Sequence, residues 1–200
     1  MPRSGFVLYS NALWYRVKRL YGLAGAEQTR SHFNQLFMPS DRDLPEYQRL
    51  RLLAHYARRK HNYPGLYLSF VNLAAAGDEG DVFGNVLAAL FGLADGARVA
   101  AMLRAIARAQ AGAPHPVRVT CRPIPPGDPL WRPYMSRHQQ NFEHQYHNGG
   151  IWPMVGGFWV VALAARGMKA KAGVELLRLA RANAVNGWEF NEWFHGLSGK

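Results

Sequence analysis

Two hundred residues, a formal net charge of +11 and one cysteine, Cys121, set the first limits. The length allows one domain with a sizeable core, and a lone cysteine excludes an internal disulfide and fits a reducing cytoplasm. The longest apolar run, FWVVALAA at 158–165, is less than half of the roughly 18 residues a membrane-spanning helix needs, so no membrane partner is expected.

Helices joined by Gly- and Pro-rich loops account for most of the chain. The start, MPRSGFVLYSNALWYRVKR, lacks the apolar core and small-residue cleavage site of a secretory leader. Within it, Leu8, Leu13, Trp14, Val17, Leu20 and Tyr21 fall near helical spacing, which predicts a helix over 7–21. Gly22 to Gly25 ends it, and a second helix runs from Glu27 to Phe37. Asp43 and Pro45 open a third, with Leu44, Tyr47, Leu50, Leu53, Ala54 and Ala57 on one face. Tyr63-Pro64-Gly65 stops it, LYLSFVNLAAA is extended or a loop, and GDEGD (77–81) is turn chemistry. Helices over 82–93 and 97–110 are expected as a hairpin broken at Asp95-Gly96. The proline-rich stretch 114–133 is irregular. Helices over 154–166 and 169–185 form a second hairpin, hinged at Gly167. No strand alternation is convincing, so the predicted class is all-α, built of stacked helical hairpins without a fixed repeat.

The positive charge raises a nucleic acid or an anionic surface as partner. Against that, the basic residues are scattered singly along helices. Only VKR (17–19) and ARRK (57–60) cluster, and neither interleaves with aromatics as a single-strand binder does. No nucleic acid is therefore expected. His144 and His147 are three apart, but His147 precedes Asn148-Gly149-Gly150, where a helix ends. With no HExxH and no CxxC pair, neither a metal nor another cofactor is implied.

Thirteen carboxylates can be weighed one by one. Glu27, Asp41, Glu46 and Glu175 read as solvated helix residues, Asp43 as an N-cap, Asp95 and Asp128 as turn residues. That leaves Asp78, Glu79, Asp81, Glu143, Glu189 and Glu192. The last two stand among Trp188, Phe190, Trp193 and Phe194. Aromatics around a carboxylate raise its pKa by desolvation and offer flat faces to a sugar ring. The plainer reading is a helix end with two solvated glutamates and core aromatics. The other dense segment is YHNGGIWPMVGG (146–157), whose glycines suit a tight turn and whose Pro153 suits the first turn of a helix.

YHNGGIWPMVGGFWVVAL, followed by GWEFNEWFHGLSGK, resembles the amylo-α-1,6-glucosidase (glycogen-debranching glucosidase domain) group and the alkaline/neutral invertases. Both belong with trehalases to the inverting glycosidases built as an (α/α)6 toroid. PRSGFVLYSNALWY, GDVFGNVLAALFGLAD and PVRVTCRPIPPGDPLWRPYM resemble further segments of that group, so the likeness covers nearly the whole chain. It implies two carboxyl groups, one protonating the leaving oxygen and one activating water. Of these, Glu192 falls on the general base. The resemblance implies sugar contacts from His147, Asn148 and Trp152, with Glu189 and Trp193 beside the base. It puts Asp81 and Asn85 on a helix opening at the pocket rim. The expected partner is an oligosaccharide or disaccharide.

Two departures follow from the same likeness. The family's acid lies upstream of the Pro-Arg stretch, which here is Pro2-Arg3, and Tyr9 stands where the family has an acidic residue. About seven helices are predicted where a full ring needs twelve. The expectation is one incomplete toroid domain over 1–200, inactive alone, with uncovered hairpin faces that favour self-association. Two alternatives remain at this stage. One is an (α/α)6 sugar isomerase or epimerase using His147 and His195, the other a non-catalytic basic helical binding protein.

Overall fold

The computed structural model describes residues 5–38, 62–72 and 74–200. The helix expected from Asp43 and Pro45, and with it Asp41 and Glu46, lies outside the described residues. The chain divides into two compact units, Pro2–Ala105 and Ile106–Lys200.

In the first unit, β1 (Phe6–Val7) pairs antiparallel with β2 (Phe70–Val71), Phe6 opposite Val71 and Val7 opposite Phe70. This pair is one strand turn long and leaves the helical class intact. Of the LYLSFVN stretch, read as extended or a loop, Phe70–Val71 is strand and the rest is irregular. Helix α1 (Leu8–Leu20) follows directly and buries Leu8, Ala12 and Tyr15, at i, i+4 and i+7, along one stripe. Helix α2 (Ala26–Phe37) starts after Gly25, whose φ of 74° suits glycine, and buries Phe33 and Phe37. Their rings lie 4.8 Å apart, with Tyr67 edge-on to Phe33 at 5.1 Å.

Helix α3 (Val82–Leu90) is capped by Asp81, whose Oδ1 accepts the Gly84 N–H at 3.1 Å. Sequence reading pairs this helix with the next one, α4 (Gly96–Ala109). The structure packs it on α1 instead. Gly84 permits this: the helix approaches α1 so closely there that a Cβ would come within 2.7 Å of Leu8 Cδ2, and Val82, Val86, Leu87 and Ala88 are buried. Asp95 starts α4 by accepting the Arg98 N–H at 2.8 Å.

In the second unit the proline-rich segment is irregular, as expected, and runs into a short helix, α5 (Pro133–Arg137). Helices α6 (Pro153–Ala165) and α7 (Lys169–Asn183) pack as the expected hairpin, turning at Gly167 with φ 74°. No side chain of α6, PMVGGFWVVALAA, is charged or amide-bearing. Its buried side holds Val155, Trp159, Ala162 and Leu163, while Met154 and Val161 remain more than half exposed. Glu175 on α7 departs from its surface reading. It is buried and pairs with Arg178 at 2.9 Å. Arg178 also donates to the Ala113 and His115 carbonyls, tying α7 to the start of the proline-rich loop. Among the described residues no helix is long and apolar enough to cross a membrane.

Candidate functional site

Three loop segments of the second unit are laced together by backbone hydrogen bonds. Ile151 is the hub. Its N–H donates to Phe194 O at 2.9 Å and its carbonyl accepts the Phe194 N–H at 2.8 Å. Val119 N–H donates to Gly150 O at 2.9 Å, and Gly196 N–H to His144 O at 2.7 Å. The YHNGGIWP turn is thus held between the proline-rich loop and the EWFHG segment, some forty residues downstream. Ile151 and Phe194 are both buried, with Ala182 of α7 and Val185 closing the small core beneath.

Above that core, four aromatic rings gather. His147 stacks on Trp152 with centroids 4.7 Å apart and an interplanar angle of 8°. Tyr146 leans on both, at 4.2 Å and 4.8 Å, and meets the edge of Trp193 at 5.9 Å. The structure therefore brings together three of the residues expected at a sugar subsite: His147, Trp152 and Trp193. The Trp152 indole N–H donates to Tyr146 O at 3.1 Å, which fixes its ring.

Asn148 belongs to the same turn but points the other way. It is fully buried. Its Oδ1 accepts the Ile124 N–H at 2.6 Å, and its Nδ2 donates to Ile124 O at 2.8 Å and Asn141 O at 2.9 Å. The amide acts like a short piece of β-strand against one residue of the proline-rich loop. Asn85, in the first unit, makes the same arrangement with Tyr67. Its Oδ1 accepts the Tyr67 N–H at 2.8 Å and its Nδ2 donates to Tyr67 O at 3.2 Å and Asp81 O at 2.7 Å. Asp81 caps α3, so both residues serve the start of that helix.

Glu189 and Glu192 lie on the exposed loop after α7, not on a helix. Glu189 accepts from Asn186 Nδ2 at 2.9 Å and Asn191 Nδ2 at 3.3 Å. Glu192 is exposed and adjoins Trp193, the ring that reaches Tyr146. Of the two readings of this pair, aromatic enclosure is not what the structure shows, because Trp188 and Phe190 are 58% and 66% exposed.

Three other features escape a reading of the sequence. His144 and His195 bring their rings to 6.0 Å, whereas a His147–His195 couple is what an isomerase reading calls on. Burial pushes the His144 pKa down, and the neighbouring Arg118 and His195 add to this against Glu143. Burial likewise lowers His115, whose Nε2 lies 3.2 Å from Gly199 O. Glu79 is almost fully buried and accepts the Ser69 hydroxyl at 2.9 Å. The missed signal in each case is non-local, since the partner lies outside any helical or turn spacing.

A family model for alkaline and neutral invertases matches residues 79–200. No curated protein matches. Among solved structures, a glycoside hydrolase family 63 mannosylglycerate hydrolase from Thermus thermophilus, in complex with Tris and D-glycerate, aligns with a TM-score of 0.62 at 16% identity. The alignment covers 96% of this chain and 41% of that one. The same enzyme in complex with glucose aligns at 0.57 and 18%, over 96% and 42%. An uncharacterized conserved protein from that organism aligns at 0.62 and 17%, over 97% and 42%. The chain thus spans about two fifths of the length of these proteins, and it shares their fold in part: all-α, of the (α/α)6 toroid type. The match over 79–200 takes in α3, the laced loops and both aromatic motifs, and the chain belongs to the alkaline and neutral invertase family.

Proposed function

We propose that the second unit carries the sugar subsite and the general base of an inverting hydrolase of α-glucosides, sucrose or α-1,6-linked oligosaccharides. The observation that carries this reading is the Ile151–Phe194 pairing, which joins the His147–Trp152 platform to the loop bearing Glu192. Pyranose rings present C–H faces that stack on aromatics, and Trp152 and Trp193 supply such faces. His147 and Glu189 add polar contacts. Glu192 takes a proton from the attacking water while a carboxylic acid elsewhere in the toroid protonates the leaving oxygen. Asn148 holds the platform to the proline-rich loop, and Asp81 and Asn85 hold the start of α3.

In the longer toroid further hairpins enclose the loop that bears Glu192 and exclude bulk water from it. Such hairpins would also cover Met154 and Val161 on the all-apolar helix α6. On this reading the 200-residue chain binds sugar but does not hydrolyse it, and the longer toroid acts in a reducing cytoplasm. The reading is tested by saturation-transfer NMR of glucose and sucrose against the purified chain. Binding that falls at least about tenfold in Trp152→Ala, a stacked-ring loss of roughly 1.4 kcal/mol, supports it. Equal binding by Trp152→Ala, or none by the unaltered chain, contradicts it.

A further inference from the structure

Among the described residues Tyr146 is the one ring in contact with His147, Trp152 and Trp193 together, so it links the two aromatic motifs. Its backbone sits at φ 40°, in the left-handed region that bulky side chains avoid. The turn enforces this. Tyr146 O accepts both the Gly150 N–H, at 3.1 Å, and the Trp152 indole N–H. A Cβ at Gly150 would come within 2.5 Å of that same oxygen. The side chain is only half-buried, and among the described residues its hydroxyl has no hydrogen-bond partner.

A tyrosine held in a strained backbone by three ring contacts could be a phenylalanine as far as packing is concerned. Resting on the sugar-subsite reading above, we infer that Tyr146 is a further substrate-contacting residue, its hydroxyl bonding a hydroxyl of the glucosyl ring stacked on the platform. This supplies the directional polar contact that Asn148 cannot make, since the Asn148 amide is spent on Ile124 and Asn141.

Tyr146→Phe keeps the ring and removes only the hydroxyl. The expected result is an unchanged melting temperature and unchanged near-ultraviolet circular dichroism, with glucose and sucrose bound about tenfold more weakly by the purified chain. A panel of monodeoxyglucoses locates the partner. The sugar lacking the bonded hydroxyl binds the unaltered chain and Tyr146→Phe equally, and the others retain the difference. A clear loss of stability in Tyr146→Phe would show that the hydroxyl serves the fold and would overturn the inference. So would unchanged sugar affinity in Tyr146→Phe alongside weakened binding in Trp152→Ala, an outcome that leaves the subsite itself standing. No sugar binding by the unaltered chain, or none lost in Trp152→Ala, overturns both.

Discussion

Asn148 and Asn85 do related work in different units. Each amide offers one acceptor and two donors, and each places the acceptor and one donor against the N–H and C=O of a single loop residue, Ile124 or Tyr67. Both are fully buried, so water cannot replace those bonds. Asn148→Ala leaves the Ile124 N–H and two carbonyls unpaired. Equilibrium urea unfolding should show a loss of about 3 kcal/mol, at roughly 1 kcal/mol per bond. A loss below about 0.5 kcal/mol would mean that the loop does not depend on this clamp. Nothing local in the sequence separates this role from a sugar contact. An asparagine before two glycines suits either, and what decides is Ile124, twenty-four residues upstream. Glu175 is opaque for the same reason, because the Arg178 beside it is drawn inward by the Ala113 and His115 carbonyls. His144 and His115 add a pH dependence. Burial favours their neutral forms, so the unfolded chain binds protons more readily than the folded one near the ordinary histidine value of 6.5. Stability is full above that value and falls as pH drops through it toward the lowered native values. The urea midpoint should be lower at pH 5 than at pH 7.5, with the gap narrowed in His115→Gln/His144→Gln. An unchanged gap would place the acid sensitivity elsewhere.

At the scale of elements, the helices mark out the scaffold and the loops carry the chemistry. Periodicity finds α1, α2, α6 and α7 to within a residue or two, because each shows an apolar stripe or a Pro or Gly boundary. It does not find α5, which is five residues long and set among prolines. It pairs α3 with α4, since sequence neighbours are the default, whereas the close approach that Gly84 permits takes α3 to α1. The lacing of the three loops is not legible in the sequence, as backbone hydrogen bonds leave no side-chain pattern. Gly196 is the exception that the lacing makes necessary. A Cβ there would collide with Gly149 O and crowd Arg118 Cδ. Gly196→Ala should therefore part the EWFHG segment from the turn and destabilise the chain by about 1–3 kcal/mol. It should also weaken sugar binding, whereas Gly157→Ala, with open space around it, should do neither. Equal behaviour of the two variants in urea unfolding would show that the close approach is unimportant.

For the molecule as a whole, the family match and the fold agree with the resemblance carried by the two aromatic motifs. The alignment to about two fifths of the longer hydrolases gives physical sense to the bare side of α6. A helix apolar on every face is stable where neighbours enclose it. Division of labour follows on the proposed reading: this chain holds the base and the sugar platform, and the acid comes from another part of the ring. On that reading the activity of the whole ring depends on Glu192. The most direct measurement is glucose release from sucrose and α-1,6-linked oligosaccharides by a polypeptide containing this chain within a whole toroid, with and without Glu192→Gln. In the variant kcat should fall about a thousandfold, within the range of general-base catalysis, with KM little changed. A variant that keeps more than about a tenth of the activity would contradict that dependence.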